Sequence, residues 1–356
     1  MKYKYKESIA ELSPYSSESR LDKDKTWLKL DWNESTFPLP EKIKKELSIE
    51  NFHTSTYPNQ NQTELIKAIS KYNNVQQDNI LIYAGSDEAL KDIFTVFLDS
   101  SSSCLVEVPT YTQVFSYILP NTNSIILDEI SNPFSEHELA INEYNLNRSN
   151  VIYFANPNNP TGKSFPNEEI EMYIKNNPEK LFVVDEAYFE YSEKTLAKKV
   201  NTYKNLIITR TFSKAFSLAG LRVGYVIANV DVINLLKKIK NIKSVNDIAI
   251  RAAYLVLKNK ELFQQQIKEV SISRDLLIQK TKDFKKFKIF DSDSNFVLLK
   301  AENSEKLKEL FYKNKILVRD KSNEELLPDC LRITLGGIEV FEKVMNVLVD
   351  YESLNS

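Results

Sequence analysis

The chain has 356 residues, 42% of them hydrophobic, and a formal charge of −2. That is apolar material for a large core and excludes a disordered chain. The near-neutral charge gives no argument for nucleic acid or a membrane as partner, and two cysteines (Cys104, Cys330) and two histidines (His53, His137) offer neither a disulfide framework nor metal-ligand spacing.

The opening "MKYKYKESIAELS" lacks the apolar stretch of a signal peptide, and no run of roughly 18 apolar residues occurs, so a cytoplasmic protein is expected. Residues 1–40, with Pro14, Pro38 and Pro40, read as an irregular arm lying across both domains. From there β-rich runs alternate with helical patterns. "NILIYAG" (Asn79 to Gly85) is a buried strand, and "SDEALKDIFTVFL" a helix with Ser86 as N-cap and Asp87 and Glu88 in its first turn. Further strands are "SCLVEV" (from Ser103), "NSIILD" (from Asn123), "NVIYFAN" (from Asn150), "LFVVDE" (from Leu181), "NLIITR" (from Asn205) and "VGYVIA" (from Val223). This alternation predicts an α/β fold: a large domain (residues 41–245) with a mainly parallel mixed sheet flanked by helices.

After Asn229 the pattern changes. A long helical region, broken near Asn259, runs to about Phe284. Strands "KIFDSD" and "NFVLLKA", a helix from Ser304, strands "ILVRD" and "CLRITL" and a last helix complete a smaller α+β domain (residues 246–356). The lysine-rich runs "KKIKNIK" (Lys237 to Lys243) and "KTKDFKKFK" (Lys280 to Lys288) read as solvated helix faces.

In a parallel sheet, ligands sit at the carboxyl ends of the strands. At successive ends stand Gly85-Ser86-Asp87 opening a helix, the turn "ANPNNPTG" (Ala155 to Gly162), Asp185, and Lys214 within "RTFSKAFSLAGLRVG". Each alone is a capped helix, a tight turn, a solvated acid and a surface lysine. In this order they are an anion cradle, an amide turn, an acid and an amine. That set suits pyridoxal phosphate: the amine bonds covalently to its aldehyde, and the acid keeps its ring nitrogen protonated. Gly220 and Gly224 would let the backbone bend there without side-chain clash.

On the segments "LSPYSSESRL", "LDWNEST", "YPNQ", "AGSDEAL", "PTYTQ", "NPNNPTG", "VDEAY", "RTFSKAFSLAGLRVGY", "SNFVLL", "ILVRD" and "CLRITLG", in that order, the chain resembles the fold-type I (class I/II) pyridoxal-phosphate enzymes, and within them the histidinol-phosphate aminotransferase group. The resemblance spans nearly the whole chain. It implies that Lys214 carries the cofactor and shuttles the proton, Asp185 pairs with the ring nitrogen, and Asn159 and Tyr188 bond the ring's phenolate oxygen. Tyr111 would stack on the ring; Ser86, Asp87, Ser213 and Arg222 would surround its phosphate. Tyr57 would reach the phosphate of a neighbouring subunit, which implies a homodimer with shared sites. Arg332, assisted by Arg319, would bind the anionic end of the substrate, and Tyr15 and Asn33 would close over it.

The resemblance implies transfer of an amino group between histidinol phosphate and 2-oxoglutarate, as in histidine biosynthesis. The alternatives are a decarboxylase of an O-phospho amino acid, which shares these motifs, an aromatic or other amino-acid transaminase, and a non-catalytic pyridoxal-phosphate-sensing regulator, for which no spare DNA-binding segment exists. One stretch departs from the group: where a proline–aromatic pair is usual, this chain has Ile242 and Lys243 in "NIKSVND", which leaves the substrate open.

Overall fold

A computed structural model describes residues 6, 9, 26–48, 52, 55–58, 62–135 and 138–354. Twelve strands are present among them: β1 (Leu28–Leu30), β2 (Ile80–Tyr83), β3 (Ser103–Val108), β4 (Ser124–Glu129), β5 (Val151–Ala155), β6 (Leu181–Asp185), β7 (Leu206–Thr211), β8 (Gly224–Ala228), β9 (Phe287–Ile289), β10 (Phe296–Ala301), β11 (Ile316–Asp320) and β12 (Cys330–Thr334). They form a seven-stranded sheet in the order β2-β8-β7-β6-β5-β3-β4 and a five-stranded sheet in the order β1-β11-β12-β10-β9.

In the large sheet β3 to β7 pair in parallel, and β8 alone runs against its neighbours β2 and β7. The carboxyl ends of β2, β5, β6 and β7 therefore share one edge with the amino end of β8. The central strands are apolar throughout because helices cover both faces. Ile152, Phe154, Phe182, Val184 and Ile208 pack on one side with the helices Thr63–Asn73 and Asp247–Lys258. Val151, Tyr153, Val183 and Ile207 pack on the other, against Leu90, Ile93 and Phe94 of the helix Ser86–Phe97. This is the mixed α/β architecture expected.

Three local expectations change. Ser86 is the first helical residue, not the N-cap; the cap is Gly85 at φ 87°, a left-handed backbone that glycine adopts readily. Residues 28–30 of the arm form β1, paired in parallel with β11. The helix Asp247–Lys258 packs in the large-sheet core through Ala249, Ala252, Ala253 and Val256, although the sequence division at 246 assigns it to the small domain. We place the boundary within the helix Glu261–Thr281, whose Phe263 joins the first core and whose Val270 and Leu277 join the small-sheet core.

Candidate active site

A cavity of about 540 Å³ opens at the carboxyl edge of the large sheet, closed on its far side by β11, β12 and residues 32–34. Twelve of the fourteen candidate residues line it: Asn33, Ser86, Asp87, Tyr111, Asn159, Asp185, Tyr188, Ser213, Lys214, Arg222, Arg319 and Arg332. Tyr57 is 73% exposed and stands outside it. Tyr15 lies outside the described residues.

The topology explains the convergence. Lys214 follows β7, and Asp185 ends β6 beside it. Burial pushes the Asp185 carboxyl up to about 7, even though Thr209 Oγ1 donates to it at 2.8 Å. Burial and the Arg332 charge bring the Lys214 amine down to about 8, and its Nζ donates to the Trp32 carbonyl at 2.9 Å. Asn159 sits on the turn after β5. Its Nδ2 lies 3.4 Å from the Tyr188 hydroxyl, which also accepts from Asn33 Nδ2 at 2.9 Å. A hydroxyl that accepts two amides directs its own proton to a third group.

At the start of the helix Ser86–Phe97 the backbone is pressed close to β8. A Cβ added to Gly224 would lie 2.8 Å from Ser86 N and 2.7 Å from the Arg210 carbonyl. One added to Gly85 would meet Arg222 Nη2 at 2.6 Å. Gly220, by contrast, has nothing within 4 Å of such an atom, so no clash requires it to be glycine. The bend is taken instead by Ser217 and Arg222, both at positive φ. Arg222 Nη2 pairs with Asp87 at 2.8 Å, and Tyr111 donates to the same carboxylate at 3.0 Å. Ser213 Oγ accepts from Thr211 at 2.9 Å.

Asn33 is fixed more firmly than an arm that closes over a ligand: it is 1% exposed, and its backbone N–H donates to Thr334 Oγ1 at 3.0 Å. Arg319 and Arg332 are direct cross-strand partners on β11 and β12. Arg332 donates to Asn159 Oδ1 at 2.7 Å and to the Asp31 carbonyl. The residues of the atypical segment do not line the cavity; Lys243 Nζ stands 4.0 Å above the Tyr57 ring.

Sequence reasoning missed four contributors. Lys321 lines the cavity beside the arginines, buried and paired with Glu324; burial and the two arginines bring its amine down to about 8. Its place two residues after Arg319 on the "ILVRDKS" run was the available signal. Thr209, Thr211 and the Trp32 carbonyl act through contacts that no local pattern announces.

These residues fit pyridoxal phosphate. The glycine-lined helix start, Ser213 and Arg222 would take its phosphate, buried Asp185 would face the ring nitrogen, and Lys214 its aldehyde. When bound, the cofactor supplies an electron-accepting ring through which an amino group passes between substrates.

Residues 25–348 match the family "Aminotransferase class I and II". The chain belongs to that family: it is a pyridoxal-phosphate-dependent aminotransferase. It is 36% identical over 321 residues to a histidinol-phosphate aminotransferase of Ruminiclostridium cellulolyticum, covering 88% of this chain and 89% of that protein. It is 35% identical to a dihydroxyacetone phosphate transaminase of Campylobacter jejuni, covering 92% of each. The fold is that of the histidinol-phosphate aminotransferase of Sinorhizobium meliloti in complex with pyridoxal-5'-phosphate, with a TM-score of 0.82, 20% identity, and coverage of 91% of this chain and 90% of that one.

Proposed function

We propose that this enzyme moves an amino group between a phosphate-bearing amine, histidinol phosphate first, and 2-oxoglutarate, with Lys214 as the cofactor lysine. The observation that carries this reading is the opposed pair Arg319 and Arg332, with Lys321 in the same cavity. Two guanidinium forks side by side match the oxygens of one phosphate or carboxylate. A phosphate dianion answers the two arginines better than one carboxylate does; Lys321 beside them is already paired with Glu324.

In this reading Arg332 and Arg319 hold the anion of each substrate in turn. Histidinol phosphate presents a phosphate on the carbon next to the one bearing its amine; glutamate presents its α-carboxylate there. Lys214, whose burial disfavours the charged amine, would take the proton from the reacting carbon and return it. Tyr188 and Asn159 would orient the cofactor through its phenolate oxygen, and Asp185 would hold the proton on its ring nitrogen.

A second reading rests on the Campylobacter jejuni relative. Dihydroxyacetone phosphate, once aminated, shares the phosphate-bearing arm of histidinol phosphate and carries a hydroxymethyl group in place of the imidazole arm. The same cations would read both. The test offers histidinol phosphate, the amine of dihydroxyacetone phosphate, phosphothreonine and an aromatic amino acid, each with and without 2-oxoglutarate. Glutamate formed from histidinol phosphate at the highest kcat/KM supports the first reading; the highest value with the second amine selects the other. CO₂ released from phosphothreonine without a keto acid would replace both with a decarboxylase.

We further propose a cytoplasmic homodimer in which exposed Tyr57 reaches the neighbouring subunit's cofactor phosphate. No helix among the described residues is long and apolar enough to cross a membrane.

A further inference from the structure

Of the lysine run from Lys280 to Lys288, only Lys280 lies within a helix. The helix ends at Thr281, and the run continues through a turn into β9. Glu352 accepts from the backbone N–H groups of Lys285 and Lys286, at 2.8 and 3.1 Å, and so fixes that turn. The run borders a groove of about 910 Å³ between the small sheet and large-domain segments that contribute Phe134 and Lys163.

Two features of this groove call for a ligand. Lys288 on β9 and Lys300 on β10 are direct cross-strand partners, a costly like-charge opposition. Their amines stand over the two rings of one aromatic pair. Lys288 Nζ lies 5.5 Å from the Phe290 centroid and Lys300 Nζ 5.3 Å from that of Phe134, with the rings 4.8 Å apart. The ring faces hold the cations in place without neutralising them. Across the groove Lys163 is 8% exposed, and Asp291 is 3.7 Å from its amine. Six lysines and three carboxylates line the groove in all, a surplus of positive charge.

Lysine on an edge strand also discourages sheet-to-sheet association, and β9 is an edge strand. That role requires neither a buried lysine across the groove nor a second lysine in register on the inner neighbour β10.

We propose that this groove is a binding site for a compound carrying two or more linked phosphates. Lys288 and Lys300 hold it from the small domain and Lys163 from the large one. The Lys163 carbonyl accepts from Asn158 N at 2.7 Å, so the site abuts the turn that carries Asn159. A ligand there bridges the two domains next to the active site.

The test is calorimetric titration of the holoenzyme with inorganic pyrophosphate and, separately, with ATP. Three proteins are compared: wild type, Arg332→Ala and the double variant Lys288→Gln/Lys300→Gln. A binding event shared by wild type and Arg332→Ala, and weakened tenfold or more in the double variant, is the expected result. ATP binding at least as tightly as pyrophosphate assigns the site to a nucleotide; tighter pyrophosphate assigns it to an inorganic polyphosphate. A second variant, Lys300→Glu, pairs internally with Lys288. It should melt at a higher temperature than wild type, and pyrophosphate should no longer shift that melting. Binding that persists in the double variant, or no binding event in wild type, overturns the proposal.

Discussion

The guanidinium of Arg332 donates to Asn159 Oδ1 at 2.7 Å while Asn159 Nδ2 faces the Tyr188 hydroxyl at 3.4 Å. One amide thus joins the residue proposed to bind substrate to the residue proposed to bond the cofactor, across the junction of the two sheets. Asn159→Ala should lose one hydrogen bond to a charged group, roughly 1.5–3 kcal/mol, or ~10–150-fold in kcat/KM. Arg332→Ala should lose more, because it removes both this bond and the anion contact. Steady-state kinetics with each substrate varied in turn measure both, and unchanged kcat/KM for both substrates in Arg332→Ala would place the anion site elsewhere.

The two glycines near Lys214 should behave differently. Gly224→Ala forces a methyl group against Ser86 N and the Arg210 carbonyl. Overpacking of this kind costs about 1–3 kcal/mol, and here it falls on the helix start proposed to take the cofactor's phosphate. Cofactor affinity, followed by its absorbance during dilution, should drop roughly 5–150-fold. Gly220→Ala meets open space and should leave affinity within a factor of about two. Equal effects of the two would contradict this assignment.

Asp185 makes the apoenzyme sensitive to pH. Its folded-state value, about 7, is above its ordinary 3.8 because burial disfavours the charge. Between those values the folded protein holds a proton that the unfolded chain has released, so stability falls as pH rises through that window. The accumulated loss is on the order of 4 kcal/mol. Asp185→Asn has no charge to bury there and should show a shallower fall, the remainder coming from Glu107 and Glu190, which burial raises to about 8 and about 7. Lys214 moves the opposite way, since its folded-state value of about 8 lies below 10.5. Its contribution rises with pH between those values and leaves the acid window untouched. Urea melts of apoenzyme at pH 4 to 7 should separate wild type from Asp185→Asn; if Asp185 pairs with the ring nitrogen as proposed, its share of the fall should disappear in holoenzyme.

If Tyr57 completes a neighbouring site, Tyr57→Phe should weaken cofactor retention by one charged hydrogen bond, roughly 1.5–3 kcal/mol. Its own ring, 73% exposed, supports nothing in its own chain's cavity. Sedimentation of wild type should give a dimer; a fully active monomer rules the shared site out.

What was legible in the sequence was whatever a short local pattern encodes. The strands of the large sheet are apolar runs ended by Gly, Asn or Asp, and the residues at their ends fall on one edge because β8 alone reverses. Local sequence is therefore enough to place Lys214, Asp185 and Asn159 together. What depends on distant chain was not legible. Trp32 meets Lys214 across 182 positions, and β1 is three residues long, with its partner at the far end of the chain. The helix Asp247–Lys258 shows the same limit: its apolar stripe is clear, but nothing in it says that it packs on Thr63–Asn73 and not on the small sheet. For Lys321 the only local signal was its place two residues after Arg319; the fold is what turns it into the cavity.

The central claim is that Lys214 mediates transfer of an amino group from a phosphate-bearing amine. It is tested most directly by mixing concentrated holoenzyme with histidinol phosphate alone, without a keto acid. Wild type should convert one equivalent of amine to ketone per site, its yellow colour bleaching as the cofactor takes the amino group. Added 2-oxoglutarate should then restore the colour with one equivalent of glutamate. Lys214→Ala should bind cofactor but slow this step by ~10²–10⁴-fold or more, having lost its proton shuttle. Bleaching at an undiminished rate in Lys214→Ala, or no ketone from wild type, would contradict the account.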